Sequence, residues 1–128
     1  LQKVSLNRNG YIFLISSLHV KEPNEKIILS NAYRIALVSV LKSLSIILRK
    51  KNISVINIAP GPTRTDRLNE LLKKNKSNVN TLKKDLGVNN IPETTEIAEF
   101  VKLVVEKNLR SLNGQTIGFD MGINKFIF

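Results

Sequence analysis

Residues 11–16 and 53–58 form two largely apolar segments of strand length, and they constrain the fold more than any other feature. Neither shows the strict alternation of a strand with one face in water, so each is typical of a strand buried on both faces of a parallel sheet. Between them, residues 29–50 have an apolar helical pattern with only a narrow polar stripe, and Ser30 or Asn31 can cap its start. Such a helix has to be covered on two sides. We expect one side to pack on the sheet and the other to meet another subunit.

The second half of the chain continues the alternation of helix and strand. Asp66 can cap a short helix, residues 96–107 have an amphipathic helical pattern, and residues 115–119 follow an Asn-Gly turn as a last strand. Residues 73–92 are rich in Lys and Asn and weakly patterned, so we expect a mobile segment of the kind that often forms a lid, with room for a turn of helix near residues 82–86. Right-handed crossovers then predict an α/β fold: a doubly wound parallel sheet (Rossmann-type) with three strands and flanking helices.

Such a small sheet leaves its first strand with an open edge. Long apolar edges aggregate, so we expect further strands, from an upstream segment or a partner chain, to cover residues 11–16.

Composition excludes several classes of site. The chain has no cysteine and a single histidine, so neither disulfides nor a thiolate or imidazole metal cluster can form, and we expect no metal. Polar residues interrupt the longest apolar stretch, which argues against a membrane span and favours a cytoplasmic location. The net charge of +10 leaves nucleic-acid binding open, but aromatic residues are absent from the basic clusters, so a solvated surface is the favoured explanation.

Several polar and glycine-containing motifs stand where the predicted strands end, which is where open α/β sheets bind ligands. Ser17 follows the first strand, Ser30 stands thirteen residues later, and Arg34 four residues after that. Pro60-Gly61 and Thr65 follow the second strand. The last strand lies between Asn113-Gly114-Gln115 and Asp120-Met121-Gly122.

These motifs, in this order and spacing, resemble the second half of the short-chain dehydrogenase/reductase family over nearly the whole chain. The resemblance implies NAD(P) as cofactor, catalytic positions at Ser17, Ser30 and Arg34, and cofactor contacts from Arg34, Pro60, Gly61 and Thr65. The family has Tyr-x-x-x-Lys where this chain has Ser30-Asn-x-x-Arg34. The same replacement is found in a subgroup similar to 3-oxoacyl-carrier-protein reductases, which this sequence resembles most.

The exchange alters the expected chemistry. An aliphatic hydroxyl is a far weaker acid than a phenol, so Ser30 is a poor general acid near neutral pH. Arg34 keeps the positive charge and can still bind ribose hydroxyls. Tyr33, or a water-mediated relay between Ser17 and Ser30, can be considered as the proton source; packing of Tyr33 against a neighbouring element is the favoured alternative. His19 either lines the substrate pocket or, as favoured, is an exposed loop residue.

The family's glycine-rich pyrophosphate turn has no counterpart here, because no Gly-x-x-x-Gly-x-Gly motif follows a strand. We therefore interpret residues 1–128 as the carboxyl-terminal part of a single domain whose NAD(P) binding requires the missing amino-terminal half. The resemblance implies an oxidoreductase acting on a carbonyl or alcohol carbon of a small-molecule or acyl-carrier-bound substrate, as a homo-oligomer through helix 29–50 or with a chain that supplies the missing strands. The alternative is a catalytically inactive scaffold that acts through oligomerisation or ligand binding.

Overall fold

A computed structural model describes residues 8–126 of the chain. Its sheet has three parallel strands in the order β1-β2-β3, with four α-helices in the connections. The strands are β1 (Tyr11–Ile15), β2 (Ser54–Pro60) and β3 (Thr116–Phe119). The helices are α1 (Ile28–Leu48), α2 (Asp66–Lys74), α3 (Val79–Leu86) and α4 (Thr94–Glu106). The predicted fold class, with three parallel strands and flanking helices, is confirmed.

Strand β2 is the centre of the sheet. It pairs in parallel with β1, in a register that places Tyr11 opposite Ser54, and with β3, in a register that places Asn57 opposite Thr116. All of its residues except Pro60 are buried. Because successive side chains of a strand point to opposite faces, this continuous burial shows that both faces of the sheet are covered along β2.

Helix α1 packs on the sheet along one side and exposes the other. Leu48 is buried with Ile53 and Val55, and Leu41 and Leu44 pack against this cluster. On the opposite side several large apolar residues are exposed: Ile28, Leu29, Tyr33, Val40, Ile46 and Ile47. Within the described residues nothing covers this second side, although its composition requires a cover.

The segment Glu25–Lys51 is also long and apolar enough to cross a membrane, so the prediction that no segment of the chain meets this criterion is wrong. Core helices of α/β proteins meet the same criterion of length and composition. In this chain Leu48 and its neighbours pack α1 on the sheet.

The predicted helix caps are each displaced. Ser30 and Asn31 lie inside the first turn of α1, whose N-cap is Ile27, and the Asn31 side chain instead donates to the Asn24 carbonyl at 2.7 Å. Asp66 is the first residue of α2, and the capping oxygen is Oγ1 of Thr65, which accepts a hydrogen bond from the Leu68 N–H at 3.2 Å. At α2 the error arises because Thr65 and Asp66 can both cap a helix and local sequence does not choose between them. At α1 the helix begins before either predicted cap, and Ile27 makes no side-chain capping hydrogen bond.

Two further segments are more regular than expected. The predicted loop before α1 contains 3-10 turns at Leu18–Val20 and Glu25–Ile27. Residues 73–92, expected to be mobile apart from a possible turn of helix near residues 82–86, contain the end of α2 and all of α3. Two contacts join the residues that precede α2 to those that follow α3. The Arg64 N–H donates a hydrogen bond to the Pro92 carbonyl at 2.8 Å, and the Arg64 guanidinium forms an ion pair with the Glu93 carboxylate at 3.2 Å.

The Asn113 side chain links α1 and β2 to the segment before β3 by hydrogen bonds. Its Oδ1 accepts a hydrogen bond from the Val55 N–H at 2.8 Å, and its Nδ2 donates to the Ser45 carbonyl at 3.1 Å. The next residue, Gly114, has a φ of +74°, and a Cβ there would lie 2.8 Å from Ser45 Oγ. The Asn-Gly pair therefore satisfies buried backbone groups and allows α1 to approach closely.

We predict that Asn113→Ala destabilises the protein by about 1–3 kcal/mol, because the buried Val55 N–H loses its acceptor. Urea unfolding followed by circular dichroism measures the change. Asn89→Ala, at an exposed position in the connection between α3 and α4, is the matched control and should have little effect. Equal midpoints for the two variants would contradict the assigned role of Asn113.

Candidate functional site

A cleft of about 370 Å³ lies where β1 and β2 end. Five of the six residues predicted for the site line it: Ser17, Arg34, Pro60, Gly61 and Thr65. They come from the segment after β1, the second turn of α1 and the loop after β2. The parallel direction of the strands brings these sequence-distant segments to one edge of the sheet.

The end of β1 is tied to β2 immediately before the cleft. The Ser16 N–H donates to the Ile58 carbonyl at 2.8 Å, and its hydroxyl approaches the same carbonyl at 3.2 Å. Ser17 follows in an extended conformation, and its Oγ accepts a hydrogen bond from the His19 N–H at 3.3 Å. This hydrogen bond leaves the Ser17 hydroxyl proton available for donation into the cleft.

His19 is half-buried and lines the cleft, so the favoured prediction of an exposed loop histidine is wrong. Its Nδ1 lies 3.1 Å from the Glu22 carbonyl oxygen. A backbone carbonyl can only accept, so this contact assigns the imidazole proton to Nδ1.

Arg34 is half-buried in the wall of the cleft. Its guanidinium has no carboxylate within ion-pair distance and no hydrogen-bond acceptor among residues 8–126. A planar cation with its donors unused, at the side of a cleft, is suited to bind hydroxyl or phosphate oxygens of a ligand.

Ser30 precedes Arg34 by one helical turn, on the same side of α1. It is half-buried but is not among the residues that line the cleft. Tyr33 is 76% exposed and does not line the cleft either, and the expectation that it packs against a neighbouring element is not met by the described residues. A tyrosine at position 30 would extend much further than the hydroxymethyl group of serine does.

Gly61 allows the loop after β2 to contact the turn after β3. Its N–H donates to the Phe119 carbonyl at 3.1 Å, and a Cβ at this position would lie 3.0 Å from Asp120 Cβ. Asp120 is buried, and its carboxylate accepts hydrogen bonds from the backbone N–H groups of Gly122 and Asn124 at 3.2 and 3.0 Å. The turn after β3 therefore supports the loop after β2, which lines the cleft.

Sequence reasoning did not identify Arg67, which lines the cleft together with Leu68 and Leu71. The sequence did contain a signal for Arg67, because it stands in the first turn of a predicted helix, where the macrodipole disfavours a cation.

Comparisons with known proteins identify the family of this chain and solved structures that share its fold. A family of proteins described as enoyl-(acyl carrier protein) reductases matches residues 1–124. The chain belongs to this family of short-chain dehydrogenases/reductases. No significant match was found among curated proteins.

Solved structures of short-chain dehydrogenases/reductases (SDRs) share the fold. An NADPH-dependent reductase involved in bacilysin biosynthesis is 25% identical, with a TM-score of 0.81, over 91% of this chain and 47% of its own. An NADPH-bound short-chain oxidoreductase from Pseudomonas aeruginosa PAO1, with an atypical catalytic centre, is 14% identical with a TM-score of 0.81, over 94% of this chain and 48% of its own. A 3-ketoacyl-(acyl-carrier-protein) reductase from Brucella melitensis, complexed with NADH, is 20% identical with a TM-score of 0.73, over 89% of this chain and 44% of its own. The chain spans about half the length of these SDRs.

The cleft fits one end of a nicotinamide dinucleotide. Arg34 offers unused donors, Thr65 a hydroxyl, and Gly61 a surface without a side chain. Residues 8–126 contain no glycine-rich turn between a strand and a helix, so the described part of this SDR offers no cradle for the pyrophosphate.

We predict that Gly61→Ala destabilises the protein and deforms the cleft, because the added methyl group would press on the Cα and Cβ of Asp120 at 3.1 and 3.0 Å. The expected loss is about 1–3 kcal/mol, the usual cost of forcing extra volume into a packed region. Thermal unfolding measures it. Gly118→Ala is the control, since its Cβ would meet Asp120 only at an ordinary 3.7 Å. An equally stable Gly61→Ala variant would contradict the close approach of the two turns.

Proposed function

We propose that this SDR is part of an NAD(P)-dependent oxidoreductase that moves hydride between the nicotinamide and a carbonyl or alcohol carbon, similar to the 3-oxoacyl-carrier-protein reductases. The observation that carries the proposal is the presence of Ser17 and an unpaired Arg34 in one cleft at the carboxyl edge of the sheet. The nicotinamide supplies or accepts the hydride when it is bound.

Three residues have distinct roles in this proposal. The Ser17 hydroxyl donates a hydrogen bond to the substrate oxygen and orients the carbonyl, since the hydrogen bond that its Oγ accepts from the His19 N–H leaves the hydroxyl proton free. The Arg34 guanidinium binds the ribose hydroxyls, in place of the family's lysine. Thr65, with Pro60 and Gly61, lines the adjoining wall and contacts the cofactor.

Reduction of a carbonyl also requires one proton, which goes to the substrate oxygen. The Ser30 hydroxyl occupies the position of the family's acid but does not line the cleft. A water molecule between Ser17 and Ser30 would join the two hydroxyls and pass the proton from solvent. In this relay Ser17 is the group that contacts the substrate, and Ser30 is a positioning residue.

The rest of the cofactor site requires further strands, which we propose come from an upstream segment or a partner chain beside β1. The exposed apolar side of α1 supports a homo-oligomer through this helix, in which a second copy buries residues such as Leu29 and Ile47. We expect a small-molecule or acyl-carrier-bound substrate and a cytoplasmic protein that is not inserted in a membrane.

An inactive scaffold is the second candidate. Two observations about the proton donor favour it: Ser30 is absent from the cleft lining, and Tyr33 is 76% exposed. Nucleic-acid binding receives less support, because the basic clusters 49–51, 73–74 and 83–84 each lie at the end of a helix, where the macrodipole favours cations.

The test follows NADPH and NADH oxidation by the full-length protein, with 3-oxoacyl and enoyl thioesters offered separately. We expect turnover of the 3-oxoacyl thioester, and a fall in kcat of about 10²-fold in Ser17→Ala, the cost of losing an oriented donor to the reacting oxygen. Tyr33→Phe is the matched hydroxyl control and should retain activity, because Tyr33 lies outside the cleft.

Three other results would contradict parts of the proposal. Cofactor binding without turnover, unchanged in Ser17→Ala, would favour the scaffold. Reduction of the enoyl thioester alone would move the reaction from the carbonyl to the carbon–carbon double bond. Loss of activity in Tyr33→Phe would make Tyr33 the proton source.

A further inference from the structure

Arg67 is a cation in a position that local helix energetics disfavour. It is the second residue of α2, after the Thr65 N-cap, where the positive end of the helix macrodipole opposes a guanidinium. Its side chain nevertheless lines the cleft that contains Ser17 and Arg34. A cation at such a site requires an explanation outside the helix.

Within residues 8–126 no side chain neutralises Arg67. The ion pairs of the described chain join Arg64 to Glu93 and Lys102 to Glu106. Glu70, three residues along the same helix, does not come within ion-pair distance of Arg67. Arg67 is exposed, and its guanidinium therefore has an unpaired charge and unused donors on a residue that lines the cleft.

The cleft as a whole is cationic. Arg34 and Arg67 both line it, and none of its described lining residues is acidic. The neighbouring cavity is different, since Glu22, Glu25 and Asp85 line it. Although Lys125 also lines that cavity, its acids outnumber its cations, so of these two neighbouring cavities the one that holds Ser17 favours an anionic ligand.

The wall beside Arg67 is apolar. Leu68 and Leu71 are the other residues of α2 that line the cleft, and Leu71 is 45% exposed. A cation next to two leucines is complementary to a molecule that has an apolar chain and an anionic group. A cofactor phosphate would use the cation but not the leucines.

We propose that Arg67 binds an oxyanion of the carbonyl substrate, whose apolar chain lies against Leu68 and Leu71. The substrate class is therefore an oxo compound with a carboxylate or phosphate group at a distance from the reacting carbonyl. This inference rests on the proposed function for the carbonyl chemistry. Arg67 acts here as a specificity-determining residue, while Arg34 serves the ribose.

The test uses the full-length protein and a matched pair of substrates, 7-oxooctanoate and its methyl ester, in which an apolar chain separates the carbonyl from the carboxyl group and which differ in the negative charge. At saturating NADPH, we expect the acid to have the lower KM, and Arg67→Gln to raise that KM about tenfold while leaving the KM of the ester nearly unchanged. Arg67→Lys should recover part of the loss. Lys74→Gln removes an equal charge from the same helix outside the cleft lining and should change neither KM.

Two binding measurements separate the possible origins of an effect. Calorimetric titration with hexanoate, which cannot be reduced, measures anion binding without turnover, and Arg67→Gln should weaken it about tenfold. Titration with NADPH alone should give the same Kd for wild type and Arg67→Gln. A weaker Kd for NADPH in this variant would assign Arg67 to a cofactor phosphate and overturn the proposal.

Failure of this inference and failure of the proposed function give different results. If both substrates are reduced with equal KM in wild type and Arg67→Gln, the inference is wrong and the proposed function stands. If neither substrate nor any thioester is reduced, but hexanoate binding depends on Arg67, the proposed function is wrong and the anion site is supported.

Discussion

The burial of β2 between two parallel strands is the constraint on which the other features depend. Every residue from Ser54 to Ala59 is buried, and the pairing with β1 and β3 fixes where each strand ends. Because all three strands run in the same direction, the segments that follow them emerge at one edge of the sheet. The hydrogen bond from Ser16 to Ile58 and the one from Gly61 to Phe119 join these segments pairwise. The cleft is therefore a direct consequence of strand register.

This framework explains why an SDR site can keep its shape while its chemistry changes. Ser17 and Arg34 belong to different elements, yet both line the cleft, because α1 packs on the strand that β1 pairs with. The position of Ser30 is set by the same helix, one turn before Arg34. At that position a hydroxymethyl group is shorter and far less acidic than a phenol. The proposed ligand site therefore depends on the cation of Arg34, which lines the cleft.

The sequence predicted the architecture well because the strongest signals were long and apolar. The runs that became β1 and β2, and the helical pattern of α1, allow few alternatives, and the placement of Ser17, Gly61 and Thr65 follows from them. For residues 73–92 the prediction allowed only a turn of helix near residues 82–86, because Lys and Asn carry little periodic signal. The local signals of α3 are its caps, Asn78 before the helix and Gly87 after it. Arg67 was missed for a different reason. Its placement in the cleft depends on the orientation of α2, which the sequence of that helix does not specify.

We propose that the Arg34 guanidinium binds the cofactor in place of the lysine of related SDRs, and the Kd of NADPH tests this role most directly. The measurement is a titration of the full-length protein, followed by the fluorescence of NADPH, with Arg34→Lys and Arg34→Met compared with wild type. We expect the lysine variant, which keeps the charge, to bind NADPH within a few-fold of wild type. We expect the methionine variant, similar in length but neutral, to bind at least about tenfold more weakly. Equal affinity of the methionine variant and wild type would contradict the claim.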